Sequence, residues 1–465
     1  MKLWCYVKNR MLQNPKRTIS NANISITYKQ LIKYAEKTAE TLTKHKYGIL
    51  CDSELNTAKA ILSVIAAGGT CVPIYKGYGQ AQIDKILKSA SVSYLIDDDG
   101  VKQISSEMPE TEDLSDVIFI MYTSGTTGIP KGAMITEKNI ITNLQDIQKY
   151  FKIDNNDRIL IWRALCHLAP LTGELLVSLI KGLDIVFCEK GFEPAVISKY
   201  INKHGITVIA GTPSLFYYLC NSRNNAFPAL KIIVTSGECL TKSVAKRMLE
   251  TFKYCDIYNV YGLTEASPRI SYLPPEIFNK KITSSALKID SKINSTAKLS
   301  FCETNEYISV GYPVESVKIK VENNELLVKG SSIMKGYYND KKLTDRTIKN
   351  GWLHTGDIAE IDEHGIIMIK GRKDDMIIRG GMNIYPSEIE NAITQDARII
   401  DAVAVGENDN KSSQKIRLTV VCNKLTKKDV FYICKKYLQP YQYPETIEII
   451  DELKMTGSGK KIRNN

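Results

Sequence analysis

Residues 122–132 read Tyr-Thr-Ser-Gly-Thr-Thr-Gly-Ile-Pro-Lys-Gly. Hydroxyl donors at Thr123, Ser124, Thr126 and Thr127 alternate with Gly125 and Gly128, and Lys131 adds a positive charge. The preceding Val117-Ile118-Phe119-Ile120-Met121 reads as a short buried strand. A strand running into such a loop can wrap backbone N–H groups around an anion, and glycine permits the close approach this needs. No Gly-Lys-Ser/Thr follows at Walker A spacing. The stretch is therefore a phosphate loop of another kind; the plain alternative is a flexible Gly/Thr surface loop.

Four further stretches carry chemistry-bearing residues in a fixed order. They are Tyr261-Gly262-Leu263-Thr264-Glu265, Gly351-Trp352-Leu353-His354-Thr355-Gly356-Asp357, Gly371-Arg372-Lys373-Asp374-Asp375 with Gly380-Gly381-Met382-Asn383-Ile384-Tyr385-Pro386 after it, and Gly457-Ser458-Gly459-Lys460 with Arg463. Together with the 122–132 loop they resemble, in order and approximate spacing, the motifs of the acyl-adenylate-forming superfamily. That group holds acyl- and aryl-CoA synthetases, adenylation domains and luciferases.

The resemblance implies a two-step reaction. A carboxylate attacks the α-phosphorus of ATP, giving an acyl-adenylate and pyrophosphate; a thiol then attacks the acyl carbon and AMP leaves. It implies ATP and CoA as ligands, or the phosphopantetheine of a carrier protein in place of CoA. Thr123, Ser124, Gly125, Thr126, Thr127, Gly128 and Lys131 would hold the β- and γ-phosphates. Glu265 would bind Mg2+, an ion that prefers one carboxylate plus phosphate oxygens and water. Thr264 would donate to the α-phosphate. Asp357 would accept from both ribose hydroxyls, with Arg372 at the ribose or phosphate side. Tyr261, Gly262 and the Ser236-Gly237-Glu238 turn would flank the adenine. Lys460 would bridge carboxylate and α-phosphate; alone, a lysine in a basic tail is an ordinary solvated charge. The residues before its threonine are Lys454-Met455, where the family has Pro-Lys/Arg. Asp374 would be the hinge between two orientations of a C-terminal lid, and Gly380 with Gly381 would wall the thiol tunnel. Arg379 would meet a phosphate of the thiol carrier or stay an exposed surface residue.

Ala164-Leu165-Cys166-His167 matches the segment that lines the acyl pocket of acyl- and aryl-CoA synthetases. His167 is a candidate catalytic residue beside the carboxylate, or a packed core histidine. No aspartate follows to pair an α-ammonium, and a buried unpaired charge costs several kcal/mol. An α-amino acid is thereby disfavoured. Glu174, the only nearby acid, would pair a distal amine or hydroxyl, or face solvent.

These residues need a scaffold that alternates strands and helices. Helical periods at 28–42, 57–67, 82–89, 174–181 and 194–204 alternate with short apolar strands at 48–51, 71–74, 94–96, 158–163, 184–188, 208–210 and 231–235. This predicts an α/β fold of helix-covered sheets. After residue 310 the texture changes, and 317–321 and 325–329, joined through Asn323-Asn324, predict an antiparallel, barrel-like unit. A strand at 366–370 gives way to charged residues. The expected division is a large domain over 1–370, a hinge over 371–375 and a mobile α+β domain over 376–465, with helices at 386–393 and 427–437 and strands at 402–406 and 417–422.

The chain has 465 residues, 43% hydrophobic and 24% charged, which describes a globular protein of more than one core. Residues 1–20 hold scattered charges and no apolar core, so no signal peptide is expected, and the apolar stretch at 60–74 is too short and interrupted to span a bilayer. Eleven cysteines without a Cys-x-x-Cys pair point to reduced thiols in a cytoplasmic protein. The net charge of +11 suits polyanionic ligands such as ATP and CoA, or an acidic acyl carrier protein. No basic helix, zinc pattern or aromatic-studded RNP sequence supports nucleic-acid binding. Residues 279–305, rich in Lys, Ser, Thr and Asn, form an insertion on the rim, either passive or a lid or partner-docking loop.

Overall fold

The computed structural model describes residues 2–106, 112–123, 131–222, 226–283, 308–379, 382–409, 413–456 and 461–463. Among them, two large sheets lie under helices. One has nine strands, ordered Tyr312–Pro313, Arg269–Leu273, Asp256–Gly262, Ile232–Ser236, Val208–Gly211, Arg158–Ile161, Asp184–Phe187, Thr18–Ser20 and Ser25–Thr27. Its six strands from Asp256–Gly262 to Thr18–Ser20 run parallel. They are covered on both faces, which is why Ile232–Ser236 is buried at every position. The other sheet has seven strands, with Val117–Thr123 flanked by Thr70–Pro73 on one side and by Lys131–Thr136, then Gly336–Tyr337, on the other.

Local signals explain the covering helices. Thr27 and Gln30 form a capping box at the start of Tyr28–Ala39. Ser53 caps Glu54–Ala67, which ends at Gly68 in the left-handed region with φ 76° before strand Thr70–Pro73. The 60–74 stretch is thus a buried helix turning into a strand, as its composition implies. The first helix, Lys2–Gln13, is absent from the sequence reading. Its charges hide a stripe of Leu3, Trp4, Val7 and Met11 that is buried in the largest core.

The antiparallel unit is a five-stranded sheet. Val317–Glu322 and Glu325–Gly330 pair through Asn323 and Asn324, both at positive φ (51° and 63°), the backbone a tight hairpin demands. Trp352–Ile361 pairs with Glu325–Gly330 and with Ile367–Arg372. That last strand carries Gly371 and Arg372 into the sheet, so the regular structure of the large unit runs to Arg372. The next strand starts at Ile377, in the hairpin Ile377–Arg379 with Met382–Ile384. The C-terminal unit packs helices Pro386–Ile393 and Lys427–Tyr437 on a sheet of Ile399–Asp409, Ser413–Cys422 and Thr446–Ile450, with its own buried core.

Two elements differ from expectation. The 174–181 helix is only the end of a longer bent element. It begins with Leu168–Pro170, widens into a π-helix over Leu171–Leu176 and closes as Val177–Lys181. Residues 279–283, read as part of the insertion, continue helix Pro275–Thr283; the remainder of the insertion lies outside the described residues. No described helix is long and apolar enough to cross a membrane.

Candidate active site

Several of the predicted site residues stand where strands of the two large sheets end. Ser236 and Gly262 close strands of the nine-stranded sheet, and Thr123 closes Val117–Thr123 of the other. Ligands of open α/β sheets bind outside such carboxyl ends. A cavity of about 560 Å³ that includes Lys46, Thr70 and Val117 opens at the other end of the seven-stranded sheet, away from these residues.

Thr123 and Lys131 face each other as the last pair of an antiparallel ladder. The phosphate-loop stretch therefore links two antiparallel neighbouring strands, whereas a Walker loop opens a helix. Ser124, Gly125, Thr126, Thr127 and Gly128 lie outside the described residues.

Tyr261, Asp357 and Arg372 form one cluster. The Tyr261 hydroxyl donates to Asp357 Oδ2. Arg372 Nη1 donates to Asp357 Oδ1 at 3.2 Å and to the Thr355 carbonyl at 2.9 Å. Arg372 stands directly opposite Asp357 in the ladder, so strand register sets this pair. Asp357 is 4% exposed. Burial, and then the charge of Asp357, push the Tyr261 hydroxyl well above its ordinary value, so it remains a donor. Burial opposes the Arg372 charge, but Asp357 outweighs it and raises the guanidinium further. The turn after Tyr261 is crowded: a Cβ on Gly262 would sit 1.9 Å from the Pro268 carbonyl oxygen, which accepts the Leu263 N–H at 2.9 Å. Only glycine fits there.

Thr264 and Glu265 open the short 3-10 turn Thr264–Ala266 that follows. The Tyr337 hydroxyl donates to Glu265 Oε1 at 2.8 Å, while the Glu265 carbonyl accepts from Met334 N–H at 2.9 Å. Among the described residues Glu265 Oε2 accepts no hydrogen bond, which leaves it for a cation. No described group of three acidic, His or Cys side chains could hold a metal. A single carboxylate fits Mg2+, which takes its remaining ligands from phosphate and water.

On the acyl side, the structure corrects the reading of Glu174. It faces neither solvent nor a vacant pocket. Glu174 lies fully buried in the π-helix and is bonded by Arg163, through Nε at 3.0 Å and through Nη2. Arg163 Nη1 also donates to Ser236 Oγ at 3.2 Å. Arg269 approaches the same turn, and a Cβ on Gly173 would stand 2.7 Å from its Nη2. Burial pushes the Glu174 carboxyl above its ordinary range, while Arg163 and Arg269 pull it back. His167 is half-buried at the start of the bent helix, its ring 6.4 Å from that of Tyr75. Glu54 holds the loop before it: its Oε2 accepts the Leu165 N–H at 2.9 Å. Burial is the main cause that lifts the Glu54 carboxyl to about 7. The sequence reading missed Arg163, Glu54 and Tyr337. A charge closing the apolar run 159–162 was a usable signal for Arg163.

Ser236 and Gly237 end their strand in a turn that Gly237 makes at φ 94°. The Glu238 carboxylate takes a different course. Oε2 accepts from Ser214 Oγ at 2.7 Å, and Oε1 accepts the Lys461 N–H at 3.1 Å. Lys461 pairs with Met455 and Ile462 N–H donates to the Lys454 carbonyl at 3.0 Å, closing a hairpin around 457–460. Lys460 itself lies outside the described residues, as do Gly380 and Gly381. Arg463 is bonded to Glu390 on helix Pro386–Ile393, with Glu390 Oε2 at 2.9 Å. Arg379 is not a spare surface charge: it donates to the carbonyls of Tyr441 at 2.9 Å and Tyr443 at 2.7 Å and pairs with Glu445. Asp374 is exposed, with its carboxylate 3.9 Å from Arg372 Nη2.

The sequence model of the family described as AMP-binding enzyme matches residues 7–110 and 97–338, and that of its C-terminal domain matches 388–460. A long-chain-fatty-acid–CoA ligase of Escherichia coli O157:H7 is 34% identical over 358 residues, 75% of this chain and 61% of the relative. The chain thus spans about three fifths of the length of that relative. A 2-succinylbenzoate–CoA ligase of Listeria monocytogenes is 32% identical over 385 residues, 82% of this chain and 75% of the relative. Among solved structures, o-succinylbenzoate CoA synthetase (MenE) of Bacillus subtilis, in complex with the acyl-adenylate intermediate OSB-AMP, shares the fold. Its TM-score is 0.80 at 23% identity, covering 98% of this chain and 96% of that one. ATP-bound MatB of Rhodopseudomonas palustris also has a TM-score of 0.80, at 19% identity and 98% and 97% coverage. With both sequence models matched in the order in which the nucleotide-side residues and the tail hairpin occur, the chain belongs to the AMP-binding enzyme family.

Proposed function

We propose that the protein is an AMP-forming acid–thiol ligase: it joins a carboxylic acid to the α-phosphate of ATP, releases pyrophosphate, and passes the acyl group to the thiol of CoA. The observation that carries this reading is the hydrogen-bonded series Arg372–Asp357–Tyr261, continued along the chain into Thr264–Glu265 and through Tyr337 to the strand leaving the phosphate-loop stretch.

In this reading each group handles charge. The first step brings two anions together, so neutralisation is the main requirement. Thr123 and Lys131, with the loop between them, bind the terminal phosphates. Asp357 accepts from the ribose hydroxyls, held in place by Arg372 and Tyr261. Ser236, Gly237 and Gly262 offer a flat wall to the base. Glu238 completes the turn beside the base, while its carboxylate bonds Ser214 and the Lys461 N–H. Glu265 holds Mg2+, which screens the phosphates when bound. Thr264 donates to the α-phosphate, His167 stands by the carboxylate, and Lys460 spans the reacting pair.

Residues 373–375, the part of the expected 371–375 hinge that follows the strand and includes Asp374, are the pivot about which residues 376–465 turn between the half-reactions, and Gly380 and Gly381 admit the pantetheine arm. The acid is not an α-amino acid. Glu174 is fully buried and already has Arg163 as its countercharge, which argues against its serving a substrate ammonium. Relatives named as long-chain-fatty-acid and 2-succinylbenzoate CoA ligases support fatty and aryl acids as the first candidates to try.

A pyrophosphate-release screen over fatty, aryl and short carboxylic acids tests this, with CoA and a holo carrier protein compared as acceptors. One pyrophosphate and one AMP should appear per CoA thioester. Absence of acid-dependent pyrophosphate release across all classes sinks the reading.

A further inference from the structure

The tail meets the large unit at the Glu238 carboxylate. Glu238 Oε1 accepts the backbone N–H of Lys461 at 3.1 Å, and Oε2 accepts from Ser214 Oγ at 2.7 Å and Ser214 N–H at 3.3 Å. Ser214 lies in the first turn of helix Pro213–Cys220, where N–H groups lack helical partners and a negative charge is favoured. Glu238 is thus held on the large unit whether or not the tail is present. Lys461 is gripped from both sides. Its backbone binds Glu238, while its ammonium bonds to Asp401 on strand Ile399–Asp409 of the C-terminal unit. Burial opposes that ammonium charge, but Asp401 and then Glu238 outweigh it and raise its pKa.

We propose that Glu238 is a positioning residue: it clasps the 454–462 hairpin onto the large unit for adenylate formation and releases it for the thioester step. The inference rests on the two-step reading above. A half-buried carboxylate suits a reversible clasp. On release Oε1 exchanges one N–H for water, while Oε2 stays capped by Ser214, so no charge is stranded. Arg463 to Glu390 and Lys461 to Asp401 lie wholly within the C-terminal unit and travel with it. Ser387 Oγ also donates to the Lys370 carbonyl at 2.9 Å, close to the pivot. The clasp is the contact that holds the tail, and it must break when the tail moves away.

Two measurements on the full-length chain test this. In Glu238→Ala, amide hydrogen exchange over 454–463 should speed up without nucleotide, and ATP–pyrophosphate exchange should fall about tenfold, the usual scale for a hydrogen bond to a charged group. Thioester formation from supplied acyl-adenylate should stay within about twofold of wild type, because the clasp is open in that step. Ser214→Ala, which removes one bond to Oε2 but keeps the Ser214 N–H and the Lys461 contact, should shift the exchange over 454–463 and the ratio of the half-reactions in the same direction, by less. Unchanged amide exchange in Glu238→Ala overturns the clasp. So does an equal fall of both half-reactions. The amide measurement needs no substrate, so it decides the clasp even if no acid is turned over, an outcome that would count against the ligase reading alone.

Discussion

The Tyr337 hydroxyl donates to Glu265 Oε1 at 2.8 Å, and this bond joins the two large sheets beside the phosphate-loop stretch. Tyr337 pairs with Ala133 on the strand that leaves that stretch, and Glu265 follows the strand Asp256–Gly262 of the other sheet. Burial, then the Glu265 charge, lift the tyrosine well above its ordinary value, so it stays a donor and turns the carboxylate one way.

Tyr337→Phe removes that donor while keeping the ring. The carboxylate should then swing, and half-saturation by Mg2+ at fixed ATP should rise by about tenfold, with a smaller change at saturating metal. Titration of pyrophosphate exchange with Mg2+, paired with binding of a fluorescent ATP analogue, checks this. An unaltered Mg2+ dependence would show that Glu265 needs no such support.

The architecture was legible because the signals were local. Apolar runs such as 208–210 and 231–235 could only be buried strands, and Asn323-Asn324 could only be a tight turn. Motif order alone also pointed to the partners Asp357 and Arg372. What stayed hidden depends on contacts between distant segments. Nothing near Glu174 announces that Arg163, eleven positions earlier, will neutralise it, because a π-helix shifts the side-chain phase. Nor does the sequence announce the partners of the Glu238 carboxylate, Ser214 and Lys461, which lie far off along the chain. Lys2–Gln13 was missed because its charges, spaced between apolar positions, lowered the local hydrophobicity that its helical stripe still carries.

Glu54 makes stability depend on pH in an unusual direction for a carboxylate. Its pKa rises from 4.5 unfolded to about 7 folded, with burial the leading cause. Between these values the folded state keeps a proton that the unfolded chain loses, so this contribution is full below about pH 4.5 and is lost as pH rises through about 7. Glu54→Gln keeps an acceptor for the Leu165 N–H and removes the charge. Relative to wild type it should gain on the order of 2 kcal/mol as pH goes from 5 to 8. Thermal melts of both proteins across that range give the answer, and a constant difference would contradict it.

Arg163 and Glu174 are 3% and 0% exposed at their side chains, so removing either alone strands a buried charge. Arg163→Met or Glu174→Leu should each cost about 3–5 kcal/mol in denaturant unfolding. The double variant should recover part of this, since two apolar groups replace the pair, while the bond to Ser236 and the attraction between Glu174 and buried Arg269 are lost. Additive losses would mean that the two residues act separately. The recovered double variant also probes the wall beyond Ser236: its preference among acids should shift while its unfolding stays cooperative.

Lys460 lies next to the residue that anchors the tail, and this separates its charge from its position. Lys461 and Arg463 fix the hairpin to the C-terminal unit, and the Lys461 backbone fixes it to Glu238. Lys460→Ala should therefore leave amide exchange over 454–463 as in wild type. Adenylate formation should still fall roughly 10²–10³-fold, the scale for losing a preorganised charge at a developing transition state. Thioester formation from supplied acyl-adenylate should persist, because there the two anions no longer have to meet. Single-turnover assays of each half-reaction separate these outcomes. A comparable fall in both steps, or faster exchange in the hairpin, would mean that the substitution disturbs the fold of the tail and that the loss cannot be assigned to the missing charge.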